Sequence, residues 1–358
     1  MDVRSIALLV GLALGLGCQI NSGGVGTGGG SAGVGTETGE GGTTLPPVLT
    51  DDGGTTTPGG TTEPPPGTGS DGTTGLDGSS SGSGDTGDPM LPRPDPYGVA
   101  VPLTELNDAL GAADDDPTLR QDQREIYFAS TRLGDEDIFV ATRASVDVPF
   151  DTPMIVGGNI STFSQETTPE LSRDGTLLLF ASDRRGNGLE IYYTTRASMA
   201  SLSWALPQPL PALSSMAHES AATPQHDQAT LLFCSDRMPT DGGADIWRAA
   251  FDPGTVMVSD LQRVAELASP ALDCPGNSNA DMTWLSFESG RTGTQGGQDL
   301  WVAQRTAEGD GYWPPYNLSE LNTAAEDGDP WVSADMQTIY FSSNRTGNYD
   351  LYMARQVP

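Results

Sequence analysis

Lysine is missing altogether: the 17 basic residues of this 358-residue chain are all arginine, set against 48 acids for a net charge of −31. Nucleic-acid binding is not expected on that ground, because neutralising phosphates takes a basic face. Histidine is almost as scarce. With only His218 and His226 present, neither a histidine-rich metal centre nor a nucleophile–base site has much to draw on. Three cysteines, Cys18, Cys234 and Cys274, show no zinc-type spacing. Long apolar runs are lacking too, since the stretch from Ile6 to Leu16 is too short to cross a bilayer comfortably.

Glycine and proline are abundant, at 46 and 27 residues. They concentrate in residues 19–97, in runs such as GGTTTPGGTTEPPPGTGSDGTTG, with ten acids, Arg93 and almost no large apolar side chains. Such a segment cannot bury enough surface to offset its ordering entropy and reads as a disordered tether. Ahead of it, MDVRSIALLVGLALGLGC has the layout of an export signal. The stretch LGLGC resembles the lipobox of bacterial lipoproteins, although Gly15 stands where a larger aliphatic residue is usual. That resemblance implies a signal peptide over 1–17, an acylated Cys18 and a tether over 18–97. The plain alternative is an ordinary signal peptide cut near Gly17. The anchor is favoured because a lone cysteine leads directly into a flexible segment. In an exported chain Cys234 and Cys274 can pair, but the sequence supplies no Cα separation, and two separate thiols in different repeats are the favoured alternative.

The remaining residues, 98–358, repeat themselves five times. Phe128, Phe180, Phe233, Phe287 and Phe341 are each followed two positions on by serine and four on by arginine, giving Arg132, Arg184, Arg237, Arg291 and Arg345 at spacings of 52, 53, 54 and 54. Six positions before each phenylalanine lies an aspartate, and fourteen before lies an acid: Asp114, Glu166, Glu219, Asp273 and Asp327. Short aliphatic and aromatic runs separated by polar turns are hairpin grammar. Asp174-Gly175 marks the first turn. A fourth short strand is expected at PLTELN, VGGNIS, PLPALS, RVAELA and NLSELN, which makes four strands per repeat, a β-propeller blade. PELSRDGTLLLFASDRRGNGLEIYYTTR closely resembles the PD40, or TolB-like, propeller repeat. The fold class expected is all-β, a single five-bladed propeller. Its TolB member has six blades, a separate α/β domain and a periplasmic role. In this chain VPLTELN, Val101–Asn107, has no earlier strand to join and is expected to close the ring beside Leu351–Ala354 in the last blade.

A group repeated in every blade is architecture before it is chemistry, so the five arginines are expected to tie turns and strands together. The five acids fourteen before phenylalanine could ring one channel mouth and recruit a cation, calcium by the hardness of carboxylate oxygen. The plainer and favoured reading is that each accepts backbone hydrogen bonds from its own loop. Related propellers in prolyl-oligopeptidase-like enzymes and metal-dependent lyases rely on a hydrolase domain or histidine clusters, and neither is seen here. His226 is expected to be a solvated turn residue, and His218, beside Glu219, is the better placed of the two.

The function expected is a non-catalytic interaction module, held in the cell envelope by a lipid on Cys18, most readily at the outer membrane, and meeting a protein, peptide or glycan as a monomer. The alternative is a glycoside hydrolase, whose two carboxylates about 5–10 Å apart an acidic ring could supply. Nothing in the repeats marks one acid as proton donor, and Trp247 and Trp301 merely occupy the repeat's own aromatic position.

Overall fold

The computed structural model describes Arg93 and residues 95–357, apart from residue 187. Cys18, the signal peptide over 1–17 and most of the tether over 18–97 lie outside the described residues. Blade 1 comprises β2 (Asp114–Leu119), β3 (Glu125–Ser130), β4 (Asp137–Thr142) and β5 (Met154–Ile155). Blade 2 comprises β6 (Glu166–Leu171), β7 (Leu177–Ser182), β8 (Glu190–Thr195) and β9 (Gln208–Pro209). Blade 3 is β10 (Glu219–Pro224), β11 (Thr230–Ser235), β12 (Asp245–Asp252) and β13 (Met257–Arg263). In blade 4 the strands are β14 (Asp273–Ser278), β15 (Trp284–Ser289), β16 (Asp299–Gln304) and β17 (Tyr316–Asn317). Blade 5 is β18 (Asp327–Val332), β19 (Thr338–Ser343), β20 (Asp350–Arg355) and, from the other end of the chain, β1 (Val101–Pro102). Each blade is an antiparallel sheet with its first strand innermost.

β1 closes the ring as the sequence leads one to expect. Val101 pairs with Met353 and Pro102 with Tyr352, and the Leu103 amide donates to the Leu351 carbonyl at 2.8 Å. Asn107 extends the seam by binding both the amide and the carbonyl of Leu351 through its side chain. Tyr97 adds an isolated bridge to Gln356, and its hydroxyl donates to the Met336 carbonyl at 2.8 Å.

The cores lie between blades rather than within them. Tyr127, Ile138 and Val140 of blade 1 pack with Leu178, Phe180 and Tyr192 of blade 2. The same arrangement joins the other pairs, with Leu119, Ile126 and Phe128 meeting Trp331, Tyr340 and Leu351 across the closing seam. A second strand covered on both faces favours apolar side chains at consecutive positions, which is why the IYFA of β3 and the LLLFA of β7 read as continuous runs and are buried throughout.

The first hairpin of each blade turns on its aspartate. Asp122, Asp174, Asp227, Asp281 and Asp335 each accept the amide two residues on, at 2.9–3.2 Å. The residue after each aspartate is left-handed, and only blade 2 uses glycine there; Gln123, Gln228, Met282 and Met336 hold φ of 55–62°.

The fourth-strand segments are a partial correction. Outside blade 3 the outer strand is only two residues long, and all five segments fold mainly as a turn after it. The reason is an anchor: Leu106, Ile160, Leu213, Leu267 and Leu321 are at most 1% exposed, and sinking that side chain under the blade bends the backbone out of the sheet.

Candidate functional site

The repeated cluster is built identically five times. Each motif arginine donates its Nε to the serine two residues before it, at 2.8–3.0 Å. Its Nη2 reaches the carbonyl of the buried turn anchor, Leu106, Ile160, Leu213, Leu267 or Leu321. The same nitrogen pairs with the acid fourteen before phenylalanine, Asp114, Glu166, Glu219, Asp273 or Asp327, all of them fully buried. The guanidinium lies over the motif phenylalanine and, in every blade, over the aromatic of the third strand. One planar five-donor group thus clamps turn, inner strand and second strand. Burial pushes the carboxyls of Asp114 and Glu219 up, against the pull of Arg132 and Arg237.

Four of the acids also accept an amide from their own preceding loop: Asp108 N to Asp114, Thr162 N to Glu166, Ser215 N to Glu219 and Thr323 N to Asp327. The five carboxylates are therefore divided among five blades, each engaged locally. A different set gathers. Among the described residues, the one group of three or more potential ligands lying within 4.8 Å of one another is Asp115, Asp116 and Glu136.

This cluster arises where blade 1 departs from the repeat. Asp115 stands where the other inner strands carry Thr167, Ser220, Cys274 and Gly328, and Asp116 where they carry Thr168, Ala221, Pro275 and Asp329. Asp116 sits in the bulge of β2 with φ 52°, which turns its carboxylate toward blade 2, where it accepts Thr167 Oγ1 at 2.5 Å and the Thr168 amide at 2.9 Å. Gln165 donates to Glu136 at 2.5 Å. From the opposite side come Asp329 and Glu288. Glu288 replaces the small residues Ala129, Ala181, Cys234 and Ser342 of the other second strands. Gly328 makes room for it, since a Cβ there would run into its carboxylate.

Burial, reinforced by mutual repulsion, pushes all four flanking carboxyls up: Glu136 and Glu288 to about 8, Asp115 and Asp329 well above the ordinary range. Asp115 Oδ1 and Glu288 Oε1 have no hydrogen-bond partner although these residues are 1% and 3% exposed. Hard, crowded and partly unpartnered oxygens are what a calcium ion takes as ligands. The sequence signal was the run Asp114-Asp115-Asp116, whose last two members fall outside the positions that all repeats share.

The far end of the channel is plugged. Gln121 of blade 1 meets His226 of blade 3 across it at 3.2 Å, and Arg173 of blade 2 reaches the His226 carbonyl. The space left between all five blades there is a cavity of about 20 Å³, room for about one water. His226 is 6% exposed, which corrects the expectation of a solvated turn residue: the turn projects into the channel, and burial followed by Arg173 lowers its pKa. His218 lies against Gly188, its ring accepting the Leu189 amide at 3.4 Å. Cys234 and Cys274, for which separate thiols were favoured, are disulfide-bonded between blades 3 and 4, with Cα atoms 4.9 Å apart.

No protein-family model matches the chain, and no curated protein matches it. Solved structures similar to it include TolB from Acinetobacter baumannii, at 17% identity and a TM-score of 0.45 over 68% of this chain and 54% of that one, so that the chain spans about half of its length. Also similar are an endo-arabinase from Bacteroides thetaiotaomicron (12% identity, TM-score 0.49, 72% of this chain and 97% of that one) and an α-L-arabinofuranosidase from Podospora anserina (13%, 0.47, 74% and 97%). The chain's own twenty strands make it a five-bladed β-propeller, and the likeness to these structures is one of fold.

Proposed function

We propose that the propeller is a non-catalytic binding module of the bacterial cell envelope, whose channel seats a divalent cation, calcium by its donors, beneath the face that meets a protein, peptide or glycan. The observation that carries the cation is the buried group Asp115, Asp116 and Glu136 with an unpartnered Asp115 Oδ1. Carboxylates so crowded must be neutralised either by protons or by a cation. At neutral pH a divalent ion does so while also supplying the missing partner. Glycoside hydrolysis fits poorly. Its two carboxylates flank an open sugar subsite, whereas these three are at most 8% exposed.

Calcium is expected to raise the melting temperature of the chelator-treated protein, as any ligand of the native state does. Asp115→Asn with Glu136→Gln should abolish that rise while leaving the calcium-free protein at least as stable. An identical melting temperature with calcium and with chelator would overturn the cation. Turnover of an arabinoside or other chromogenic glycoside, lost in the same variant, would establish hydrolysis instead. Anchoring rests on Cys18 and the residues around it; mass spectrometry of the mature N-terminus should find that cysteine acylated, and a soluble product without lipid would refute it.

A further inference from the structure

A second arginine recurs at the end of the third strand in blades 1, 2 and 4, and its three copies differ in one respect. Arg143, Arg196 and Arg305 each donate Nε to the carbonyl of the left-handed or glycine residue in their own first hairpin, Gln123, Gly175 and Met282. Each lies over an aromatic of the following loop, Phe150, Trp204 or Tyr312, at 4.2, 4.6 and 4.9 Å. In the first two copies the outer nitrogens are satisfied by the preceding blade. Arg143 donates to the Tyr340 hydroxyl at 2.8 Å, and Arg196 holds both oxygens of Glu125 and the Tyr127 hydroxyl.

Blade 3 offers Arg305 neither group. Leu232 stands where Tyr127 and Tyr340 stand, one before the motif phenylalanine, and Thr230 where Glu125 stands, three before it. What the smaller side chains leave is a cavity of about 290 Å³ between blades 3 and 4, lined by Arg305, Leu232, Thr230, Tyr312 and two further guanidiniums, Arg248 and Arg263, the latter already paired with Asp241 and Asp245. Arg305 is 6% exposed, and neither it nor Arg248 has a carboxylate within ion-pair distance among the described residues. Glu266, Glu308 and Asp310 also border the cavity but lie exposed at its rim, where water screens them.

We propose that this cleft binds a small carboxylate-bearing molecule, of the size of one sugar acid, with its carboxylate on Arg305. The protein supplies the precedent itself: Glu125 occupies the same place against Arg196, with two oxygens on the outer nitrogens of one guanidinium. The volume suits a ligand of monosaccharide size and excludes a folded partner. The Tyr312 hydroxyl and the nitrogens of the exposed Arg248 other than Nη2, which already donates to Gln262 Oε1 at 2.7 Å, are the donors left for its remaining oxygens.

The test is calorimetric titration with galacturonate and with glutamate, using galactose as the neutral control. At least one acid should bind and galactose should not. Arg305→Gln should weaken the acid by about tenfold or more. Because that variant removes a buried structural group, Leu232→Tyr serves as the second: it installs the hydroxyl that Arg143 already has, fills the cavity and leaves Arg305 in place. It should abolish binding without lowering the melting temperature. No binding of either acid at about 10 mM, equal binding of galactose, or binding unchanged in Leu232→Tyr would overturn the proposal.

Discussion

At the scale of single residues, the chain uses arginine as a fastener and acid as its counterpart. Arg184 is typical, joining Ser182, the Ile160 carbonyl and Glu166 while covering Phe180 and Tyr192. Replacing it with alanine leaves the fully buried Glu166 without its cation, and the cost should be about 3–5 kcal/mol in chemical denaturation. Glu166→Gln should cost less, because an amide is easier to bury than an orphaned charge. A carboxyl without a cation behaves oppositely. Glu170 accepts Thr118 Oγ1 at 3.2 Å, and burial pushes it up to about 8. The raised folded-state pKa means that the fold holds its proton more tightly than the unfolded chain does. Its contribution to stability is therefore complete below the ordinary carboxyl pKa of about 4.3 and is lost as pH rises toward 8. Glu170→Gln should flatten the melting-temperature profile between those limits, and an unchanged slope would show the group to be ionised throughout.

At the scale of strands and turns, most of the architecture is written in the repeat. The phenylalanine strand and the aspartate turn were legible because each depends on residues within one blade. What escaped was set by neighbours. The short segments could not be recognised as turns, since the buried leucine that bends them meets its surroundings only in three dimensions. Asp115, Asp116 and Glu136 do not stand out in the sequence for the same reason: comparing repeats selects what all five share, and this cluster uses positions at which the blades differ. The slot between the second strand of one blade and the first of the next shows the range allowed, holding Cys234 with Cys274 between blades 3 and 4 and Glu288 with Gly328 between blades 4 and 5. The closing strand was legible because a last blade lacking a fourth strand and a first segment lacking a partner complement each other. Deleting Val101–Asn107 should lower the melting temperature far more than removing residues 1–92, and equal effects would deny the seam its role.

For the molecule as a whole, each blade contacts mainly its neighbours, so stability runs around a ring whose links differ. The disulfide covalently fixes the link between blades 3 and 4. It spans 40 residues, and mutating both cysteines to alanine should cost about 4 kcal/mol if the unfolded chain gains the freedom of that loop. Denaturation with and without reductant measures it. The link between blades 5 and 1 has no disulfide; besides the core of Leu119, Ile126 and Phe128 against Trp331, Tyr340 and Leu351, it relies on the pairing of β1, whose end is held by Tyr97, buried between blades 4 and 5. Force discriminates between the two. A load applied to the chain ends acts at the Tyr97–Gln356 bridge and then travels along the antiparallel pairing toward Leu103 and Leu351. In that direction the hydrogen bonds open one after another, as in peeling tape, instead of resisting together in shear. A ring that heat can open only with its interblade cores is thus expected to unwind from blade 5 under a modest steady pull, with the disulfide halting extension between residues 234 and 274.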